Sequence, residues 1–222
     1  MSLPPLVERY LERALPDGTG ATESVDITQE GSMWMRPGAR PVAFTATEHF
    51  ETERVAFAWR ARFRLLRISL DVVDSYDADH GLLELRVAGL RVRRQRSTEL
   101  AHGEALRYLA ELPWVPHALA RNRELEWVQT GERAVEVAAQ VAGERAAVTF
   151  DVDEQGDVIH ASALRKRQVG KSWELTPWGG DFSEYRVVAG IRMPATAEVY
   201  WELGDGERFV YWRGRVLTAT PR

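Results

Sequence analysis

The sequence predicts a mainly β protein of the α+β class: a strongly curved antiparallel sheet or half-barrel of about 11 to 13 strands, plugged by an N-terminal and a mid-chain helix. Three observations point there. Long stretches alternate apolar and polar residues with period two, turn signals recur between them, and a helical period appears in only two places.

The first helical place is the start of the chain. Leu6, Val7, Tyr10, Leu11, Ala14 and Leu15 share one face while Glu8, Arg9, Glu12 and Arg13 fill the other, which predicts an amphipathic helix over about 5–15. Pro4 and Pro5 suit its first turn, and "PDGTG" stops it. From Thr22 the period drops to two. In "RVAFAWRARFR" the residues Val55, Phe57, Trp59, Ala61 and Phe63 point one way and the arginines the other, as in a strand wet on one side. The same holds for Ala146, Val148, Phe150 and Val152, and for Ala197, Val199, Trp201 and Leu203. In "RFVYWRGRV" one face carries Val210, Trp212, Gly214 and Val216, the other Phe209, Tyr211, Arg213 and Arg215. Either that strand is covered on both sides or one side looks into a pocket. Turn signals such as "DADHG", "AGER", "DEQGD", "VAGIR" and "LGDGE" separate the runs, so strands over about 22–96 and 124–220 read as a meander within one domain, 1–222.

The second helical place is about 97–121. Ser97 or Thr98 caps it, Leu106, Leu109 and Ala110 form its apolar stripe, and Pro113 and Pro116 break it. A sheet of so many strands curls, and its hollow face must be covered or must hold a ligand.

Composition excludes several classes of function. The 222 residues carry a net charge of −4, which gives no electrostatic reason to expect nucleic acid. There is no cysteine, hence no disulfide, thiolate nucleophile or Cys-based zinc site. No apolar run is long enough for a transmembrane segment. The N-terminus lacks the pattern of a signal peptide, so the chain as written is expected in the cytoplasm, with export left open if a leader has been removed. His49, His80, His102, His117 and His160 stand singly, without metal-ligand spacing, and no metal site is expected. No nucleophile-elbow, zincin or phosphate-loop motif occurs, and none calls for a cofactor. "DADHG" and "DEQGD" read as hairpin turns and not as calcium loops.

The candidate site residues come from three places. On the central helix, Glu104, Arg107, Tyr108 and Glu111 form one polar stripe. This stripe is either a solvated face with an ordinary ion pair or, if the helix enters the hollow, a polar anchor whose Arg107 is paired and meets a ligand head group. Trp114 and His117 follow in the turn after the helix. His117 is a candidate general base and Glu104 a candidate proton donor, though a base needs an orienting partner and a nucleophile. In "TPWGGDFSEYR", Trp178 is placed to cover a pocket rim and Asp181 and Tyr185 to supply polar handles, Gly179 and Gly180 serving either a close approach or a sharp turn.

The segments "LPPLVERYLERAL", "GEALRYLAELPWVPHAL", "LTPWGGDFSEYR" and "YWRGRV" resemble an uncharacterised family of bacterial proteins known only as a domain of unknown function, over nearly the whole chain. The resemblance implies no established activity or catalytic residue. In architecture alone the chain is similar to bacterial lipoprotein carriers, whose curved sheet is plugged by two helices and holds acyl chains; it departs from them in having no visible export signal. The reading is a soluble protein that binds a hydrophobic or amphipathic, lipid-like small molecule in an aromatic-lined pocket, with Arg107, Tyr108, Trp114, His117, Trp178, Asp181 and Tyr185 as ligand-binding candidates. The alternatives are a hydrolase or cyclase acting in the same pocket through Glu104 or His117, and a protein-interaction module.

Overall fold

In the computed structural model the described residues are 3–18, 20–65, 68–204 and 206–222, so Thr19 of the helix stop and Asp205 of the "LGDGE" turn lie outside them, as do Met1 and Ser2. Helix α1 (Pro5–Ala14) precedes a first run of strands, β1 (Ser24–Met33), β2 (Val42–Glu51), β3 (Phe57–Leu65), β4 (Ile68–Asp77), β5 (His80–Val87) and β6 (Leu90–Gln95). A helical segment follows: α2 (Thr98–Ala110), a 3-10 turn (Leu112–Trp114) and α3 (Pro116–Arg121). The second run is β7 (Glu126–Gln129), β8 (Ala134–Val141), β9 (Glu144–Val152), β10 (Val158–Val169), β11 (Ser172–Val188), β12 (Ile191–Leu203) and β13 (Glu207–Pro221).

All thirteen strands form one antiparallel sheet in the order β6-β5-β4-β3-β2-β1-β13-β12-β11-β10-β9-β8-β7. The two runs are joined in the middle, where β1 pairs with β13 from Val25 opposite Pro221 to Met33 opposite Trp212. This topology explains the central helix. The two edge strands, β6 and β7, are consecutive in the chain, so the connection between them has to cross from one edge of the sheet to the other. Thirteen residues of α helix span about 20 Å. Helix α2 lies over β4 and β5 on one side and over β8, β9 and β10 on the other.

The turns are those that twisted hairpins require. Ala78 and Asp79, Ala88 and Gly89, Ala142 and Gly143, and Ala189 and Gly190 all have positive φ at both central positions, as a type I′ turn demands. The exposed edge is guarded: β6 carries Arg91, Arg93 and Arg94, and β7 has four residues.

The predicted inward sets are buried in β3 and β9, from Phe57 to Phe63 and from Ala146 to Val152. On the hollow face Phe44 packs against Trp59, Phe63 and Trp212 with centroids 5.6–5.7 Å apart. Trp114 contacts Phe182 and Trp212, and its indole N–H donates to the Pro194 carbonyl at 3.0 Å. Leu6, Val7, Tyr10 and Ala14 of α1 are buried, and the Tyr10 hydroxyl donates to the Pro113 carbonyl at 2.9 Å. One end of the hollow is thereby filled by α1, the 3-10 turn and α3.

Four local expectations are corrected. "TPWGGDFSEYR" is not a loop with a sharp turn but the interior of β11. Gly179 is there because the Tyr200 ring lies across it: a Cβ would stand 2.8 Å from the Tyr200 hydroxyl and 2.9 Å from the Ala161 carbonyl oxygen. In "TAEVYWEL" Tyr200 keeps the outer side that alternation gives it but is buried there, over Gly179 and stacked on His160 at 6.2 Å. An irregularity in the β12–β13 pairing leaves Tyr211 without an opposite residue. The same irregularity brings Tyr211 onto the side of Trp212, although alternation separated them, and Tyr211 stacks on Trp201 at 6.1 Å. The helical insert is three pieces, because Pro113 and Pro116 each restart the chain in a new direction.

Candidate functional site

The end of the hollow that α1 leaves open holds a cavity of about 500 Å³, lined by β1 to β6, by the last turn of α2 and by β10 to β13. Its walls are mostly apolar: Trp59, Phe63 and Val72 face Val199, Trp201 and Trp212. Exposed Met35, Arg93 and Gln168 mark its mouth. A larger depression of about 890 Å³ lies on the outer face of the sheet, where much of the charged lining is paired within itself, Arg213 with Glu198 at 2.9 Å and Arg215 with Glu30 at 2.5 Å. The concave cavity is therefore the candidate site, consistent with the general form of ligand pockets, concave and apolar with a few polar groups.

Its floor is ionic. The Arg107 guanidinium uses all three nitrogens, Nε to Glu111 at 2.9 Å, one terminal nitrogen to Asp74 at 3.0 Å and the other to Glu48 at 2.8 Å. It also lies over the rings of Phe57 and Trp59, 5.0 and 4.9 Å from their centroids. Glu48 accepts a further bond from Gln29, whose carbonyl takes the Trp59 indole N–H. The sheet register builds this cluster: Glu48 stands opposite Trp59, and Trp59 opposite Asp74, in one row across three strands. Beside it Arg165 reaches Glu104 at 3.2 Å and lies over Trp178 at 4.9 Å.

Four carboxyls, those of Glu48, Asp74, Glu104 and Glu111, thus surround two guanidiniums. Burial, reinforced by the Glu111 charge, pushes Glu48 well above the usual glutamate range despite Arg107. Burial and the Asp74 charge do the same to Glu104. Burial works against the Arg107 charge, yet Glu111, Glu48 and Asp74 together hold its pKa well above that of an ordinary arginine. The physical sense is crowding of negative charge in a buried place, where Glu48, Glu104 and Glu111 each hold a proton more tightly than they would in water.

Of the residues expected at the site, the structure brings Arg107 and Trp178 to the cavity. The expectation of a solvated stripe on the central helix is corrected: Glu104 and Tyr108 are buried and the Arg107 side chain is 14% exposed. Arg107 is also not free to take a ligand head group, since carboxylates already hold it on three sides. Tyr108 donates to the Glu51 carbonyl and accepts from Asn122 within the core. Trp114 is fully enclosed. His117 is buried in α3, its Nδ1 has no partner among the described residues, and burial followed by the Arg121 charge lowers its pKa. Neither an orienting group nor a nucleophile accompanies it. Asp181 lies on the outer face against His160 Nδ1 at 2.7 Å, and Tyr185 packs under α1, its hydroxyl donating to the Val158 carbonyl.

The residues missed are Glu48, Asp74 and Gln29 on the floor, and Arg93, Lys166 and Arg167 at the mouth. A signal for Glu48 and Asp74 was present. In the inward series Phe44, Ala46, Glu48, Phe50 and Leu70, Val72, Asp74, Tyr76, an acid occupies a position that alternation assigns to the core.

Over residues 1–214 the chain matches a family of unknown function, DUF6544. It belongs to that family. No curated protein matches it. Among solved structures it is similar to a LolA superfamily protein, NE2245, from Nitrosomonas europaea, at 10% identity over 98% of this chain and 92% of that one, TM-score 0.51. A protein from Vibrio parahaemolyticus described as an outer membrane lipoprotein-sorting protein domain superposes with TM-score 0.52, at 8% identity over 98% of this chain and 91% of the other. At such identities the likeness is one of fold. Among the described residues no helix is long and apolar enough to cross a membrane.

Proposed function

We propose that this DUF6544 protein binds one hydrophobic or amphipathic small molecule in the concave cavity. The observation that carries the reading is the unfilled space of about 500 Å³ between the aromatic wall and α2, in a chain whose other hollow end is packed solid. That volume falls in the range of about 300–1,000 Å³ typical of ligand pockets. The fold it shares with a lipoprotein-sorting domain supports a binding or carrier role. Arg107 and Trp178 belong to the site as wall and floor, Arg107 by pinning α2 and not by touching a head group. Glu104 and His117 gain no support as acid or base.

Because Trp59, Trp178, Trp201 and Trp212 line the cavity, its occupation is readable from intrinsic fluorescence. Titration with a panel of fatty acids and alcohols is expected to give saturable, one-to-one changes. Val72→Trp, which fills the cavity, is expected to weaken binding at least about tenfold while leaving cooperative unfolding intact; unaltered affinity would move the ligand elsewhere.

A further inference from the structure

The cavity has polar groups in two places, and only the mouth has donors left; what the floor leaves unpartnered among the described residues are acceptors, Asp74 Oδ1 and Glu111 Oε2. On the floor, Arg107 and Arg165 are engaged by carboxylates. At the mouth, β6 and β10 approach each other from opposite sides of the hollow, and Arg93 of β6 reaches the Gln168 carbonyl of β10 at 3.5 Å. Arg93 otherwise donates to the Gln95 amide oxygen at 2.6 Å, and no carboxylate lies within 4.0 Å of it among the described residues. On β10 the Arg167 side chain is about one third exposed, its closest carboxylate is Glu174 at 4.0 Å, and its Nε is buried with no acceptor. Lys166 also lines the cavity and is paired with Glu144 at 3.2 Å.

A buried donor without an acceptor calls for an explanation, and at the mouth of an open cavity a bound guest supplies one. Two guanidiniums facing one mouth, neither held closely by a carboxylate, suit an anion bonded by charge-assisted N–H groups. The wall behind them, Phe63, Leu70, Leu85 and Trp201, offers nothing but apolar surface. We propose that the guest is an anionic amphiphile, its apolar body inside the cavity and a carboxylate or phosphate head group held at the mouth between Arg93 and Arg167. This rests on the binding function above and assigns its ligand class. The acidic floor reinforces the orientation, because an anion placed at that end would meet Asp74 and Glu111.

The test compares four probes of equal chain length below their micelle concentrations: dodecanoate, dodecyl phosphate, dodecanol and dodecyltrimethylammonium, each titrated against tryptophan fluorescence. At least one of the two anions is expected to bind about tenfold or more tightly than dodecanol, and the ammonium no better than the alcohol. Which anion leads identifies a fatty acid or a phosphate ester as the source of the head group. Arg93→Gln, an exposed edge substitution that gives up only bonds to the Gln95 and Gln168 side chains, and the double variant Arg93→Gln with Arg167→Gln should bring the anion-to-alcohol ratio toward one in steps. Equal affinities for anions and alcohol, or a ratio insensitive to both variants, overturn the proposal while leaving the binding function standing. Saturable binding of none of the four overturns both.

Discussion

Replacing Arg107 by methionine tests whether an ionic cluster seats the plug helix. The substitution keeps the length of the stem and removes three charge-assisted bonds, at 2.9, 3.0 and 2.8 Å, and two ring contacts. The Asp74 and Glu111 side chains are each 15% exposed and border the cavity, although one oxygen of each is buried without a partner among the described residues; Glu48 has 0% exposure and keeps only the Gln29 amide at 3.1 Å. The cost of breaking a buried pair, about 3–5 kcal/mol, therefore falls most heavily on Glu48. For a domain of this size that corresponds to a melting temperature lower by about 6–20 °C. Urea unfolding at about pH 7.5, followed by tryptophan fluorescence and circular dichroism, measures it. Glu48→Gln in the same background removes the stranded charge, and the double variant should recover about 1.5 kcal/mol or more relative to additivity. A loss below about 1 kcal/mol for Arg107→Met, or strictly additive losses in the double variant, would refute the reasoning. Arg107→Lys should not rescue, since a single ammonium lacks the fork that reaches three carboxylates.

Two further predictions concern the same seat. Glu48 holds its proton more tightly in the folded chain than at the ordinary glutamate value of 4.5, so above that value folding retains a proton that unfolding releases. Its contribution is most favourable below about 4.5 and falls by about 1.4 kcal/mol per pH unit above it, levelling off once the raised folded value is passed. The stability difference between the wild type and Glu48→Gln should therefore shift in favour of the variant as pH rises from about 5; a difference independent of pH contradicts the burial argument. Gly81→Ala places a Cβ 2.6 Å from the Ala101 amide nitrogen and 2.7 Å from its Cα, backbone that cannot swing aside. It should lower stability by about 1–3 kcal/mol in urea, and an unchanged midpoint would mean that α2 is not held against β5 as closely as described.

Much of the architecture was legible because it depends on neighbours in sequence. Which residues of β3 and β9 are buried follows from the pleat, which sends successive side chains to opposite faces. The hairpins at Ala142–Gly143 and Ala189–Gly190 follow from turn chemistry. The site was less legible, and the reasons are local to particular residues. Tyr211 and Trp212 reach the same side only because an irregularity in the β12–β13 pairing breaks the alternation. Trp114 and His117 combine polar atoms with apolar bodies, and no pattern in the chain says whether a pocket or the core takes them. Trp178 lines the cavity although its segment is a strand, because the face it occupies in β11 is the hollow one.

The sequence by itself determined a curling sheet, two helical pieces to cover it and an inward charge on β2 and on β4, since period, turn residues and the misfit of an acid in an apolar row are all short-range properties. Only the tertiary structure decided that Arg107, fifty-nine residues from Glu48 and thirty-three from Asp74, meets both. The same step left Arg93 and Arg167 facing each other across an open mouth. Sheet closure sets those separations, and closure depends on register and curvature summed over all thirteen strands.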